Sequence, residues 1–183
     1  VSRTNGWKTV ELRRFSYTSL CEFDSTTVAL GHHGGVAVDD TSPGVHFRNV
    51  STGNTLDSIR DQSQIISMCV VGEVLVTGTH DPSVRINKKE SDGVWSTGFI
   101  RLDDVVDPKH VRSHRWVRSV CNIDDVHVAC VISKYIRIVN VLNRRIVKTL
   151  EDVWPTALCK LDVNRIASTG LDRQVNVWHV WAS

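Results

Sequence analysis

A four-fold internal repeat is the feature of this sequence that most restricts its fold. In each copy a cysteine follows one small and one apolar residue, and three copies continue with an x-apolar-Asp pattern. The repeated cysteines are Cys21, Cys69, Cys121 and Cys159. They stand 48, 52 and 38 residues apart. A period of about 40 residues with variable insertions is typical of chains assembled from one repeated supersecondary unit. The sequence therefore predicts a repeat architecture of four units.

Each unit carries the pattern of β-strands. Segments such as YIRIVNV (135–141) and VNVWHVW (175–181) alternate with a period of two, which a helix would scatter around its whole circumference. Three strands are predicted in every unit. A fourth follows in the first three units, in the segments NTLDSI (54–59), VWSTGFIRL (94–102) and RIVKTL (145–150). The predicted fold class is all-β.

The fourth unit resembles a WD repeat of the β-propeller family. Its segment RIASTGLDRQVNVWHV carries Ser168 in the second strand, Asp172 in the next turn and Trp178 near the end of the third strand. In that family these residues join a histidine in a hydrogen-bonded set that fixes the blade. The segment before Cys159 contains no histidine, so the set is incomplete here.

The other units match the WD pattern less well. The second keeps Asp81 in its turn, with Thr77 at the serine position and Asn87 at the tryptophan position, whereas the first and third keep neither the Asp nor the Trp. The resemblance therefore implies a propeller of about four degenerate WD40-like blades. It also implies that the structural blade motif consists of Ser168, Asp172, Trp178 and Asp81.

The resemblance also implies the domain organisation. Residues 1–14 contain a strand-like run, WKTVEL, and are expected to close the last blade, because an unpaired edge strand favours aggregation. The four blades are expected at 15–61, 62–106, 107–152 and 153–183. WD-repeat rings usually have about seven blades and need roughly 300 residues, more than the 183 present. The ring could close with four blades, pair with a second copy, or be completed by another segment or chain. A partial propeller completed by something else is favoured.

The number and spacing of the cysteines favour a reducing compartment and argue against a metal-binding site. Their number, five, is odd, and the sequence has no C-x-x-C pair, which argues against a disulfide scaffold and a compact zinc site. A cysteine that recurs once per unit is better explained as a small apolar side chain between units. We expect a reducing, intracellular location, cytoplasmic in the first instance with the nucleus left open. No metal and no cofactor are expected.

Catalytic motifs are missing from the sequence. It has no G-x-S-x-G, no H-E-x-x-H and no glycine-rich phosphate loop with its lysine. His32 and His33 lie in GHHGG and are expected to be exposed in a turn between two strands. Asp24, Asp124 and Asp162 of the x-apolar-Asp pattern are interpreted as turn formers whose carboxylates accept backbone N–H groups. The chain is therefore expected not to be an enzyme, with no catalytic residues.

One basic segment, DPKHVRSHRWVRS (107–119), is the best candidate for a binding site. It has no acidic residue after its first, and it links the second repeat to the third. Arginine binds carboxylates and phosphates with two parallel hydrogen bonds, and tryptophan often anchors interfaces. The alternative is a solvated loop with Trp116 packed into the blade. Trp154 stands at the same distance before its repeated cysteine as Trp116 does, and this repetition favours a structural role for both tryptophans. The candidate partner-binding residues are Lys109, Arg112, His114, Arg115 and Arg118.

Function follows from these features only at the level of a class. The formal net charge of +2 does not by itself indicate a nucleic-acid or acidic partner. No apolar run approaches the roughly 20 residues of a membrane span. The sequence and the resemblance predict a non-catalytic protein-interaction scaffold in a multiprotein complex, which binds an acidic or phosphorylated peptide through propeller-face loops. The alternative is an RNA or ribonucleoprotein-associated module that uses the basic 109–118 loop.

Overall fold

Fifteen β-strands in four antiparallel sheets make up the described part of the chain. A computed structural model describes residues 17–32, 43–60, 63–102, 116–151 and 154–181. The strands are β1 (Tyr17–Asp24), β2 (Thr27–His32), β3 (Gly44–Asn49), β4 (Thr55–Arg60), β5 (Ile65–Val71), β6 (Val74–Thr79), β7 (Ser83–Lys89), β8 (Trp95–Arg101), β9 (Val117–Asn122), β10 (His127–Ile132), β11 (Tyr135–Asn140), β12 (Arg145–Glu151), β13 (Pro155–Lys160), β14 (Arg165–Gly170) and β15 (Val175–His179). The predicted all-β fold class is confirmed. These residues include no helix that could cross a membrane.

Each sheet is a meander of strands in chain order. Sheets 1, 2 and 3 have four strands each, β1 to β4, β5 to β8 and β9 to β12, and sheet 4 has three, β13 to β15. The strands are neighbours both in sequence and in space, because short turns can join antiparallel partners directly. Among the described strands, β15 pairs with β14 alone.

The four sheets meet along their first strands. Strand β1 contacts β5, β5 contacts β9, and β9 contacts β13. Serine hydroxyls join two of these neighbours: Ser67 Oγ accepts a hydrogen bond from the N–H of Val120 at 3.0 Å, and Ser119 Oγ accepts one from the N–H of Leu158 at 3.1 Å. The first strands therefore form a common inner row from which the sheets extend.

Apolar side chains fill the space between consecutive sheets. We call the side of a sheet that packs on the next sheet its forward face, and the side that packs on the preceding sheet its back face. Forward-face residues at two equivalent positions of β3, β7 and β11 are Val45 and Phe47, Val84 and Ile86, and Ile136 and Ile138. The back-face residues in the same clusters are Met68 and Leu75, Val120 and Val128, and Leu158 and Ile166. Three repeated interfaces thus form the core.

The row of sheets is open at both ends. Val175 and Val177 of β15 occupy the two forward-face positions of sheet 4. They are 68% and 52% exposed, whereas their equivalents in sheets 1 to 3 are at most 6% exposed. On the back face of sheet 1, Leu20 is 65% exposed, although its equivalent Met68 is buried. A closed ring of four sheets would bury all of these side chains, so the four described sheets do not close into a ring by themselves.

Aspartates shape three of the four turns that follow the first strands. Asp24, Asp124 and Asp162 each accept a hydrogen bond from the backbone N–H two residues on, at 2.8–2.9 Å. At the equivalent position in sheet 2, Gly72 adopts a φ of 55°, which glycine tolerates better than other residues. The interpretation of these aspartates as turn formers is confirmed.

Candidate partner-binding site

The structure describes one end of the basic segment. Arg118 is half-buried on β9. The other four candidate residues, Lys109, Arg112, His114 and Arg115, lie outside the described residues. The surroundings of the site are therefore described from the residues that flank 103–115 on each side, Leu102 and Trp116, and from the surface that these two residues contact.

Both ends of this segment are fixed to the same turn, which joins β6 to β7. Before the segment, the N–H of Leu102 donates a hydrogen bond to the carbonyl oxygen of Pro82 at 2.8 Å. After it, the indole of Trp116 stacks on the imidazole of His80, with ring centroids 4.4 Å apart and planes 29° apart. Trp116 remains 40% exposed, so one face of its ring packs on the neighbouring sheet and part of the side chain faces solvent.

A cleft of about 220 Å³ lies at this turn, beside the outer strand β8. Its most exposed apolar side chain is that of Phe99, which is 62% exposed. Two guanidinium groups and one carboxylate accompany the phenyl ring. The lining residues are Asp81, Pro82, Ser83, Arg85, Phe99 and Arg101. An exposed aromatic ring beside arginines is the combination found at protein-binding hot spots.

The carboxylate of Asp81 is saturated by groups of its own sheet and of the linker before it. It accepts hydrogen bonds from Ser63 Oγ at 2.6 Å, from Thr79 Oγ1 at 2.8 Å and from Ser83 Oγ, and Arg85 Nη2 lies 3.4 Å away. Burial raises the pKa of Asp81, but these hydrogen bonds and the charge of Arg85 outweigh burial and hold the pKa below its ordinary value. Asp81 therefore fixes the turn that shapes the cleft.

A second, shallower groove of about 500 Å³ lies on the other side of β8 and shares Phe99 and Arg101 with the cleft. Arg144, in the turn between β11 and β12, and Arg145, the first residue of β12, line it. A β-carbon at Gly98 would overlap the Arg144 guanidinium, so this glycine makes room for the arginine against the strand. Neither Arg144 nor Arg145 forms an ion pair with a described carboxylate. Arginines thus flank both sides of β8.

The blade-motif residues of sheet 4 are only partly brought together. Trp178 Nε1 donates a hydrogen bond to the buried Ser168 Oγ at 2.8 Å. Asp172 stays in its own turn, where it accepts the backbone N–H of Gln174 at 3.1 Å. Asn87, at the tryptophan position of sheet 2, donates instead to a backbone carbonyl oxygen, that of Leu75, at 3.1 Å.

The repeated cysteines occupy equivalent inner-strand positions. Burial raises the pKa of Cys21 and of Cys121 to about 12, and it raises the pKa of Cys69 as well. Such thiols are protonated at neutral pH and are poor nucleophiles and metal ligands. Within the described ranges, no three His, Cys, Asp or Glu side chains are placed to hold a metal ion together.

The expectation that His32 is exposed in a turn is wrong. His32 is the last residue of β2 and is only 2% exposed, because its pairing with Gly44 extends the hairpin to this point. Its ring lies 4.5 Å from that of His46, measured between centroids. The two glycines after His33 suggest that β2 ends before His32, whereas in the structure β2 includes His32. His33 itself lies outside the described residues.

Comparison with known proteins identifies the fold. No family model matches the chain, and no curated protein matches its sequence. The beta-propeller domain of Myceliophteria thermophila Cps50 (Swd1) superposes with a TM-score of 0.68 at 14% identity, over 91% of this chain and 52% of that one. The WD40 repeats of RRP9 give a TM-score of 0.66 at 14% identity, over 92% and 52%. The chain has a WD40-like β-propeller fold. Sheets 1 to 4 are therefore called blades one to four below.

Two designed proteins bear on the size of the ring. The computationally designed Ika4 protein has a TM-score of 0.66 at 17% identity, and the superposition covers 94% of this chain and 96% of Ika4. The designed Ika8 protein has a TM-score of 0.62 at 18% identity, over 90% of this chain and 46% of Ika8. The chain thus spans nearly all of Ika4 but about half of Ika8 and of the two propeller domains above.

Proposed function

We propose that this chain is a non-catalytic interaction scaffold of a multiprotein complex, formed by four blades of a larger propeller. The observation that carries the proposal is the exposure of core positions on the two end blades. Val177 and Leu20 are 52% and 65% exposed at positions that are buried in other blades. Exposed apolar surface of this kind marks an interaction site. Another chain or segment therefore covers these faces, and the loops are left to recruit partners.

A catalytic role is not part of the proposal. Catalysis by acid and base groups requires side chains that converge on one substrate proton. Asp24, Asp124 and Asp162 are used instead in separate turns of separate blades. No cofactor is proposed, and the buried, protonated cysteines suit the reducing, intracellular location that we propose for the chain.

We propose that the partner-binding surface comprises the cleft beside β8 and the basic segment. Lys109, Arg112, His114, Arg115 and Arg118 would bind an acidic or phosphorylated segment of a partner protein. Three features support this proposal: Leu102 and Trp116, which flank residues 103–115, are both held at the turn that shapes the cleft, Phe99 is exposed there, and arginines flank β8 on both sides. Arginine favours carboxylate and phosphate groups, because its planar fork donates two parallel hydrogen bonds.

Replacing Arg112, Arg115 and Arg118 with glutamate should abolish partner binding and leave the melting temperature nearly unchanged. Like charges placed across an interface cost several kcal/mol, so we expect affinity to fall by about 100-fold or more. The partner is first recovered by a nuclease-treated affinity pull-down and identified by mass spectrometry, and its affinity is then measured by calorimetry. A control that changes Lys88, Lys134 and Arg173 to glutamate introduces the same charge elsewhere and should bind normally.

Two outcomes of that experiment would count against the proposed site. Unfolding of the triple glutamate variant would show that the segment is structural. Equal loss of binding in the control variant would show that only the overall charge matters. An RNA partner would be recovered only when nuclease is omitted. Its binding constant would fall steeply with salt: the logarithm of the constant, plotted against the logarithm of the salt concentration, has a slope of about −0.7 for each phosphate neutralised on a single strand.

We also propose that residues 1–14 supply the missing outer strand of a fourth blade. Because this segment ends next to β1 and blades one and four lie at opposite ends of the open row, the strand would join blade four of an adjoining copy. Blades one to three have four strands, whereas β15 pairs only with β14 among the described strands. Deleting residues 1–14 should lower the melting temperature by about 2–4 °C, the change that a loss of about 1 kcal/mol produces in a chain of this size. Differential scanning calorimetry measures the change. Deleting residues 1–6, which precede the strand-like run, is the matched control, and an unchanged melting temperature in the longer deletion would refute the closing strand.

A further inference from the structure

The two open faces of the chain are the two halves of one repeated interface. Inside the chain, each forward face packs on the back face of the next blade, and this happens three times. Among the described blades, one forward face, on blade four, and one back face, on blade one, are left without a neighbouring blade. We propose that a second copy of this chain covers both, so that two copies close one ring of eight blades. The inference rests on the proposed function only in taking the ring as incomplete.

The forward face of blade four has the composition of a buried interface. Val175 and Val177 stand where β3, β7 and β11 carry core residues, and Leu161, 47% exposed, stands at the position of the fully buried Ile123. Cys159 is also exposed on this blade, whereas its three equivalents are at least partly buried. None of these four side chains is charged, so a neighbouring blade could pack on them without burying an unpaired ion.

The back face of blade one is open at Leu20 and Val28, whereas Leu30, His32 and His46 of the same face are buried. Leu20 of β1 is equivalent to Met68 and Val120, which are 7% and 5% exposed where they contact the preceding blade. Val28 of β2 is equivalent to the fully buried Leu75, yet it remains half-buried here. A second copy presents a forward face to this surface and receives one in return, without any new kind of interface.

The number of blades allows such a ring to close. Head-to-tail interfaces generate a closed ring when the rotation closes, and open filaments when it does not. Four and four blades give eight, the upper end of the range that propellers commonly use. The four blades also superpose on about half of the Ika8 and Cps50 (Swd1) chains, which leaves an arc of about the same size for the second copy.

One detail shows where the proposed junction differs from the internal ones. Ser67 and Ser119 accept hydrogen bonds from the first strand of the next blade. At the equivalent position of blade four stands Ala157, which offers no acceptor for the N–H of Leu20 in the second copy. The substitution Ala157→Ser should therefore tighten the association by about 5–100-fold, the effect of one net hydrogen bond at each of the two junctions.

The test measures the molar mass of the chain by light scattering during size-exclusion chromatography, over a series of concentrations. We expect twice the chain mass of 20.5 kDa. Val177→Asp and Leu20→Asp should each weaken association by about 100-fold or more, because each buries a carboxylate in both junctions. The control Val94→Asp changes an equally exposed apolar residue in a turn and should have no effect. Circular dichroism checks that every variant remains folded.

Mixing the two aspartate variants separates a head-to-tail ring from other dimers. The Val177→Asp copy keeps an intact back face, and the Leu20→Asp copy keeps an intact forward face, so the mixture should form a dimer through one good junction. A chain that is monomeric at every concentration overturns the inference, and so does a dimer that Leu20→Asp leaves unchanged. Either result leaves the scaffold proposal standing, since the pull-down and the triple glutamate variant test that proposal separately.

Discussion

Replacing Phe47 with alanine should lower the free energy of unfolding by about 3–5 kcal/mol. Phe47 is 2% exposed in the core between blades one and two. Its ring stacks on Trp95 at 4.8 Å between centroids and meets the edge of Phe23 at the same separation. Urea denaturation at fixed chain concentration measures the loss. Leu142→Ala, at a turn residue that is 72% exposed, should change stability by less than about 0.5 kcal/mol.

A double-mutant cycle then shows whether the two aromatic rings act as a pair. The changes Phe47→Leu and Trp95→Leu, alone and together, should give a coupling energy of about 0.5–1.5 kcal/mol, which is typical of aromatic pairs. Trp95 is also held from outside the core, where its Nε1 donates to Asp57 Oδ2 at 3.0 Å beside the Lys89 ammonium group. A cost below about 1 kcal/mol for Phe47→Ala would contradict the packing of blade one on blade two through this layer.

Strands were readable from the sequence because alternation is a local property. The fourth strands predicted at 54–59, 94–102 and 145–150 lie within one residue of β4, β8 and β12 at each end. The turn role of the repeated aspartates was equally local, since each carboxylate bonds a backbone N–H two residues away. A period of two cannot say which neighbour a side chain will meet. Two aromatic stacks join different blades, Phe47 on Trp95 and Trp116 on His80, and no sequence motif predicts either of them.

The candidate site was predicted only in part for the same reason. The basic composition of 107–119 is visible in the sequence, but the cleft depends on Phe99 and Arg101, which come from the preceding strand. A search for apolar residues on the polar side of an alternating strand would have found Phe99. The burial of His32 could not be read from GHHGG, because it depends on how far β2 and β3 remain paired.

Replacing Asp81 with alanine should lower the free energy of unfolding by about 2–3 kcal/mol, because hydrogen bonds to a charged group are strong and three hydroxyl donors would lose their shared charged acceptor. Those donors are the hydroxyls of Ser63, Thr79 and Ser83. The matched control is Asp172→Ala, at the equivalent turn of blade four. That carboxylate accepts one exposed N–H, which water can satisfy, so the cost should be about 0.5 kcal/mol or less. Equal losses in the two variants would contradict the assigned network.

The pH dependence of stability gives an independent check on the same carboxylate. The pKa of Asp81 is held below its ordinary value of 3.8 in the folded chain, so its contribution is fully present above that value. The contribution disappears as the pH falls through the lower, folded-state pKa. Acidification below about pH 4 should therefore destabilise the natural chain more than the Asp81→Asn variant. Because Asp81 also fixes the turn that shapes the cleft, Asp81→Ala should weaken partner binding while Asp172→Ala should not, and this difference would link the network to the proposed site.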